Sequence, residues 1–125
     1  MTTSAIKFSK DHLWAVDSGD SVKIGITEYF QDTLGEVIEV SLPEADIYID
    51  AGDTLAEIES DGITTELISP LSGSIMNVNE RVFDDPEIIN VDPYGRGWLV
   101  EIEPSVPLEI ESLMDEEEYE DFIEE

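Results

Sequence analysis

Carboxylates are the chemistry-bearing groups this chain holds in quantity, and Glu57, Glu59 and Glu66 are the ones spaced to act as a pair. Paired carboxyl groups can divide acid and base roles when their surroundings separate their proton affinities. No pocket is evident around these three, so they are expected to be exposed strand positions. The lone His12 cannot build a zinc site or a multi-histidine redox centre by itself, and it reads as a structural hydrogen-bonding residue. Cysteine is absent, which removes thiolate metal sites, disulfides and cysteine nucleophiles. No Asp-x-Asp-x-Asp-Gly loop with a distant glutamate suggests calcium. With nucleophile, base and metal constellations all missing, the expectation is a protein that is not an enzyme.

Charge narrows the partners. Against 32 acidic residues stand five basic ones, a formal net charge of -27. Nucleic acid and anionic membrane surfaces are bound through Lys and Arg, so neither is expected as a partner. A basic face on a partner protein would be attracted. The 125 residues suffice for one modest core, and 41% hydrophobic content spread along the chain indicates a globular protein. No apolar run approaches a membrane span, and the first eight residues lack the apolar stretch of a secretory signal, so a cytoplasmic protein is expected.

The elements that must position these residues are mostly short strands. Leu13–Val16 and Val22–Ile26 flank the polar run Asp17–Asp20 and predict a hairpin. Thr27 is placed to cap a helix that carries Glu28 in its first turn, runs through Leu34 and stops at Gly35. Strands are expected over 36–40, 47–49, 54–59, 63–68, 74–78 and 97–103, with Asp92-Pro93-Tyr94-Gly95 as a turn that positions Trp98. Toward the end, Leu108, Leu113, Met114, Tyr119, Phe122 and Ile123 recur at roughly helical spacing among acids. That pattern predicts an acidic helical segment over 107–125, packed on a β domain.

Several segments, in order, resemble the glycine cleavage system H protein family. They are Phe8-Ser9-Lys10-Asp11-His12-Leu13-Trp14, the run from Gly25-Ile26-Thr27 to Gly35-Glu36-Val37, Leu42-Pro43, Ser69-Pro70-Leu71-Ser72-Gly73, Val78-Asn79 and, most specific, Pro86 to Leu99. On these the chain is identified as a member of that family. The resemblance implies a mainly β fold over residues 1–125, a barrel-sandwich hybrid of two small antiparallel sheets with short peripheral helices and the acidic C-terminal helix. It also implies a carrier role, an aminomethyl group held on a lipoyl-lysine and passed among glycine cleavage enzymes.

The same resemblance exposes a departure. The family's lysine follows a Glu-Ser-x run, and here Glu59-Ser60-Asp61 is followed by Gly62. No gap is needed to reach Ser69-Pro70, and no lysine occurs after Lys23. Lipoate, the family's cofactor, therefore has no amine to join at the vacant position Gly62. Asp61-Gly62 instead suits a tight type I′ turn. Leu13 stands where the family typically has a glutamate thought to hold the loaded arm's ammonium, while Glu66 keeps a carboxylate near the other acidic position. The expected function is that of a non-lipoylated binding protein for glycine cleavage enzymes, a lipoate ligase or transferase, or a related redox complex. The alternatives are a carrier modified at another residue and a small-ligand or metal-binding module.

Overall fold

Alternation along Leu13-Trp14-Ala15-Val16 divides the molecule into two interiors. Leu13 and Ala15 enter the main core, while Trp14 and Val16 point to the opposite side and join a smaller aromatic cluster. The computed structural model describes residues 6–17, 21–60, 62–106 and 108–124. Its elements are β1 (Ile6–Phe8), β2 (Leu13–Asp17), β3 (Val22–Ile26), α1 (Glu28–Leu34), β4 (Val37–Ser41), β5 (Tyr48–Ile49) and β6 (Thr54–Ser60). They continue as β7 (Ile63–Ile68), β8 (Gly73–Val78), α2 (Arg81–Asp84), α3 (Glu87–Val91), β9 (Val100–Pro104), α4 (Leu108–Glu111) and α5 (Glu116–Glu124).

Two antiparallel sheets result, one in the order β1-β2-β3-β9-β8-β5 and the other in the order β4-β6-β7. Neither closes into a barrel. Val40, Leu55, Ile58 and Leu67 of the smaller sheet pack with Leu13, Ile24, Ile26, Ile75 and Ile102 of the larger one. Each such side chain, taken fully out of water, contributes about 1.5–3 kcal/mol. The expected mainly β architecture of two antiparallel sheets with short helices is the one observed.

Glycine sets one close approach. Gly25 lies directly opposite Trp14 across the β2–β3 pair, and a Cβ built on it would come within 2.7 Å of the indole. The bare backbone lets the ring lie across the strand. Its Nε1 then donates to the carbonyl of Pro93 at 2.8 Å. The 92–97 turn thus serves Trp14 as well as Trp98, whose N–H donates to the Gly95 carbonyl at 3.2 Å.

Helix α1 begins and ends as its sequence directs. The Thr27 hydroxyl accepts the N–H of Phe30 at 3.2 Å, and Gly35 closes the helix at φ 79°. Other boundaries differ from expectation. The strand expected over 97–103 starts only at Val100, because the N–H of Gly97 turns back to the Asp92 carbonyl at 2.8 Å. The C-terminal apolar stripe is two helices rather than one. Phe8 and Met114 exchange backbone hydrogen bonds, each 2.8 Å, which holds Met114 extended between α4 and α5. Asp115 then starts a new helix through a reciprocal cap. Its carboxylate accepts the Glu118 N–H at 2.8 Å, and the Glu118 carboxylate accepts the Asp115 N–H at 3.1 Å.

Candidate functional site

The β6–β7 hairpin presents the first candidate. Its register runs from Ser60↔Ile63 through Glu59↔Thr64 to Glu57↔Glu66, so two residues make the tip. Asp61 lies outside the described residues, and with it half of the expected type I′ pair. Gly62 is exposed and has φ 78°, in the left-handed region that favours glycine. A Cβ placed there would meet nothing within 4 Å. A larger residue at the tip therefore has room, and its cost is backbone strain of about 1–2 kcal/mol.

Carboxylates crowd the sheet behind that tip. Glu57 faces Glu66 across one strand pair, and Glu59 faces Glu39 across the other. Strand alternation puts these four on the face away from Ile58 and Val40. The sequence pairing of Glu57 with Glu66 is thus real in space, but as like charges set opposite each other, which destabilises. Glu66 is exposed as expected, whereas Glu57 and Glu59 are half-buried. Strands β4, β6 and β7 contain no lysine or arginine, so the hairpin offers no primary amine for acylation.

Leu13 does not belong to this group. It is fully buried in the main core, paired with Ile26. An unpaired carboxylate at such a place would lose several kcal/mol of hydration.

His12 sits elsewhere again, within a cluster of rings. Tyr29, Phe30, Tyr119 and Phe122 lie with ring centroids 5.0, 5.7, 5.8 and 5.8 Å from the imidazole. Its φ of 66° is held by the Ser9 turn, in which the His12 N–H donates to the Ser9 carbonyl at 3.1 Å. Nδ1 is 2.9 Å from the Tyr119 hydroxyl, which is 2.8 Å from Thr27 Oγ1. With Thr27 donating to Tyr119 and Tyr119 to Nδ1, the relay is complete while Nδ1 carries no proton. Burial lowers the His12 pKa below its ordinary value, and Asp11 nearby partly offsets this. Burial likewise raises the Tyr119 pKa, partly opposed by the hydrogen bond with Thr27, so the phenol remains a donor. The histidine expected to be a structural hydrogen-bonding residue has one side-chain partner, the Tyr119 hydroxyl. Its aromatic surroundings were missed, because Tyr119 and Phe122 are far away in sequence.

Two packed antiparallel sheets, with Gly62 exposed at the end of the β6–β7 hairpin, are the frame on which these groups stand. The glycine cleavage H-protein family model matches residues 6–125. The chain is 43% identical over 120 residues to a glycine cleavage system H protein of Staphylococcus saprophyticus, covering 96% of this chain and 95% of the relative. Against the H protein of Myxococcus xanthus it is 42% identical over 114 residues, covering 91% and 88%. A crystal structure of a glycine cleavage system H protein from Mycobacterium marinum superposes with a TM-score of 0.88 at 32% identity, covering 99% of this chain and 100% of that one. The chain belongs to the glycine cleavage H-protein family. Members of that family are lipoyl carriers that interact with other glycine cleavage enzymes, and this chain is not an enzyme.

Proposed function

We propose that this chain works by binding rather than by carrying, as an H-type protein that is not lipoylated. The observation that supports this is Gly62 at the hairpin tip. The family resemblance puts the acceptor lysine there, and the residue present has no side chain. Lipoate therefore does not fit this hairpin, since an amide to its carboxyl group requires an amine. Leu13 is the second altered position, its interior side chain replacing the glutamate expected of a carrier. Glu59, Ser60 and Glu66 remain around the vacant position, and Asp61 beside Gly62 is a further departure from the family's usual apolar residue.

In this reading residues 1–125 form one H-protein-like domain, with the acidic helical segment 107–125 packed on it, and it acts in the cytoplasm. It docks on glycine cleavage enzymes, on a lipoate ligase or transferase, or on a related redox complex. Pull-down at low salt with the decarboxylase, the aminomethyltransferase and the lipoate ligase of the source organism tests this. Capture of at least one is expected, and binding to none of them overturns docking. Intact mass of the native protein tests the vacancy. A mass equal to that of the sequence is expected, and a lipoyl-sized increase would establish a carrier modified elsewhere.

A further inference from the structure

Between α1, the 92–97 turn and α5 lies an open cavity of about 560 Å³. Four of its walls are the rings of Phe8, Tyr29, Tyr94 and Tyr119. Four more lining residues are acids, namely Glu28, Asp32, Glu116 and Glu120. Its size falls within the range of ligand pockets, about 300–1,000 Å³.

The rings are fixed in advance. Tyr119 stacks on Phe8 with centroids 4.6 Å apart and its hydroxyl is committed to His12 and Thr27. The Tyr94 hydroxyl accepts the Glu28 N–H at 3.0 Å. Tyr29 and Tyr94 nevertheless remain 42% and 43% exposed, large aromatic surfaces left open to water. Among the described residues no basic one lines the cavity. Lys23 instead places its ammonium 5.1 Å from the Trp98 ring centroid, and Arg96 approaches Asp92 at 3.5 Å.

Ring faces with carboxylates at their margins match one ligand chemistry. Anions are repelled, and a neutral apolar group leaves the carboxylates without partners. A flat, weakly hydrated cation satisfies both parts, stacking on the rings while donating to the acids. The geometry points to a receptor for an arginine side chain of a partner protein, formed by the open rings of Tyr29 and Tyr94 and these four carboxylates, on a floor of the buried Phe8–Tyr119 stack. A protein source fits because the cavity is open and much larger than one guanidinium, and because a net charge of -27 draws basic surfaces toward it. The site lies apart from the β6–β7 hairpin and does not depend on how Gly62 is read.

Titrating acetyl-Gly-Gly-Arg-Gly-Gly-amide into the ¹⁵N-labelled full chain at low salt tests the assignment. Saturable shifts at the amides of Tyr29, Tyr94, Glu116 and Glu120 are expected, with affinity about tenfold lower for the citrulline peptide, which keeps the shape and loses the charge. Tyr29→Ala weakens binding about threefold or more, and Tyr29→Phe, which keeps the ring beside His12, restores it. Glu116→Gln with Glu120→Gln weakens binding, whereas Glu57→Gln with Glu59→Gln does not. Equal binding of the citrulline peptide, or equal weakening by the two glutamate pairs, would show general charge attraction and overturn the site. Methylguanidinium binding as tightly as the peptide would overturn the partner-protein source.

Discussion

The hairpin tip and the aromatic cluster around His12 are built on opposite terms. At the tip, a Cβ added to Gly62 would meet nothing within 4 Å, and the register of β6 with β7 leads into the turn. Around His12, four elements converge, and Tyr119 alone stacks on Phe8, bonds His12 and reaches Thr27. The difference separates two kinds of tolerance. A turn with empty space around it accepts a new side chain at the cost of backbone strain, whereas an interlocked cluster loses several contacts with one atom group. A change of side chain at the tip is therefore structurally cheap, and loss of a cluster ring is not.

Tyr119→Ala should break that contrast most severely if it is wrong. Removing a ring that is 4% exposed is expected to cost about 3–5 kcal/mol in urea unfolding. Tyr119→Phe keeps the stack and loses the hydroxyl, at about 1–3 kcal/mol. A cost below 1 kcal/mol for the alanine variant would mean that α5 is peripheral to stability. Gly25→Ala comes next, at about 1–3 kcal/mol, since the new methyl must displace the Trp14 ring. Near-ultraviolet circular dichroism should report the displaced indole. Gly62→Lys sharpens the other side, with a loss of about 1–2 kcal/mol from its positive φ and an unchanged aromatic signal. Offering this variant to lipoate ligase then asks whether the surrounding hairpin is still recognised.

Protonation gives a smaller, signed effect. The His12 pKa lies below its ordinary 6.5 in the folded protein. As pH falls through 6.5 the unfolded chain takes up this proton first, so folding stability declines until the folded pKa is passed. The neutral ring's contribution is complete above 6.5. Urea midpoints of the parent and His12→Gln, compared between pH 7 and 5.5, should show the parent losing more. A relative gain for the parent at the lower pH would contradict the burial of this imidazole. Last, Glu66→Gln should stabilise by a few tenths of a kcal/mol through relief from Glu57, a gain that fades as salt is raised.

Much of the scaffold was legible where chemistry is local. Thr27 and Gly35 mark the ends of α1, and the tip at Gly62 follows from the strands on either side. The ordered segments from Phe8 to Leu99 carried the family and therefore the two sheets. What escaped has a common physical cause. Strand β1 has three residues, too few for alternation to show, and α2 and α3 are single turns without an apolar stripe. The stripe from Leu108 to Ile123 looked continuous because spacing does not reveal that Met114 pairs with Phe8. The rings around His12 and the cavity beside them are assembled by tertiary contacts, with no spacing signature to find.

Those same long-range ties dictate how the chain must be made. His12 and Tyr119 are 107 positions apart, and the backbone bridge from Phe8 reaches Met114. During synthesis strand β1 leaves the ribosome long before its cover exists, so the outer side of Phe8 waits exposed until Tyr119 of α5 is translated. Such an edge invites pairing with neighbouring nascent chains. The dense acidic charge distributed along the polypeptide supplies mutual repulsion throughout that interval, protecting a product that can lock shut only after α5 has emerged.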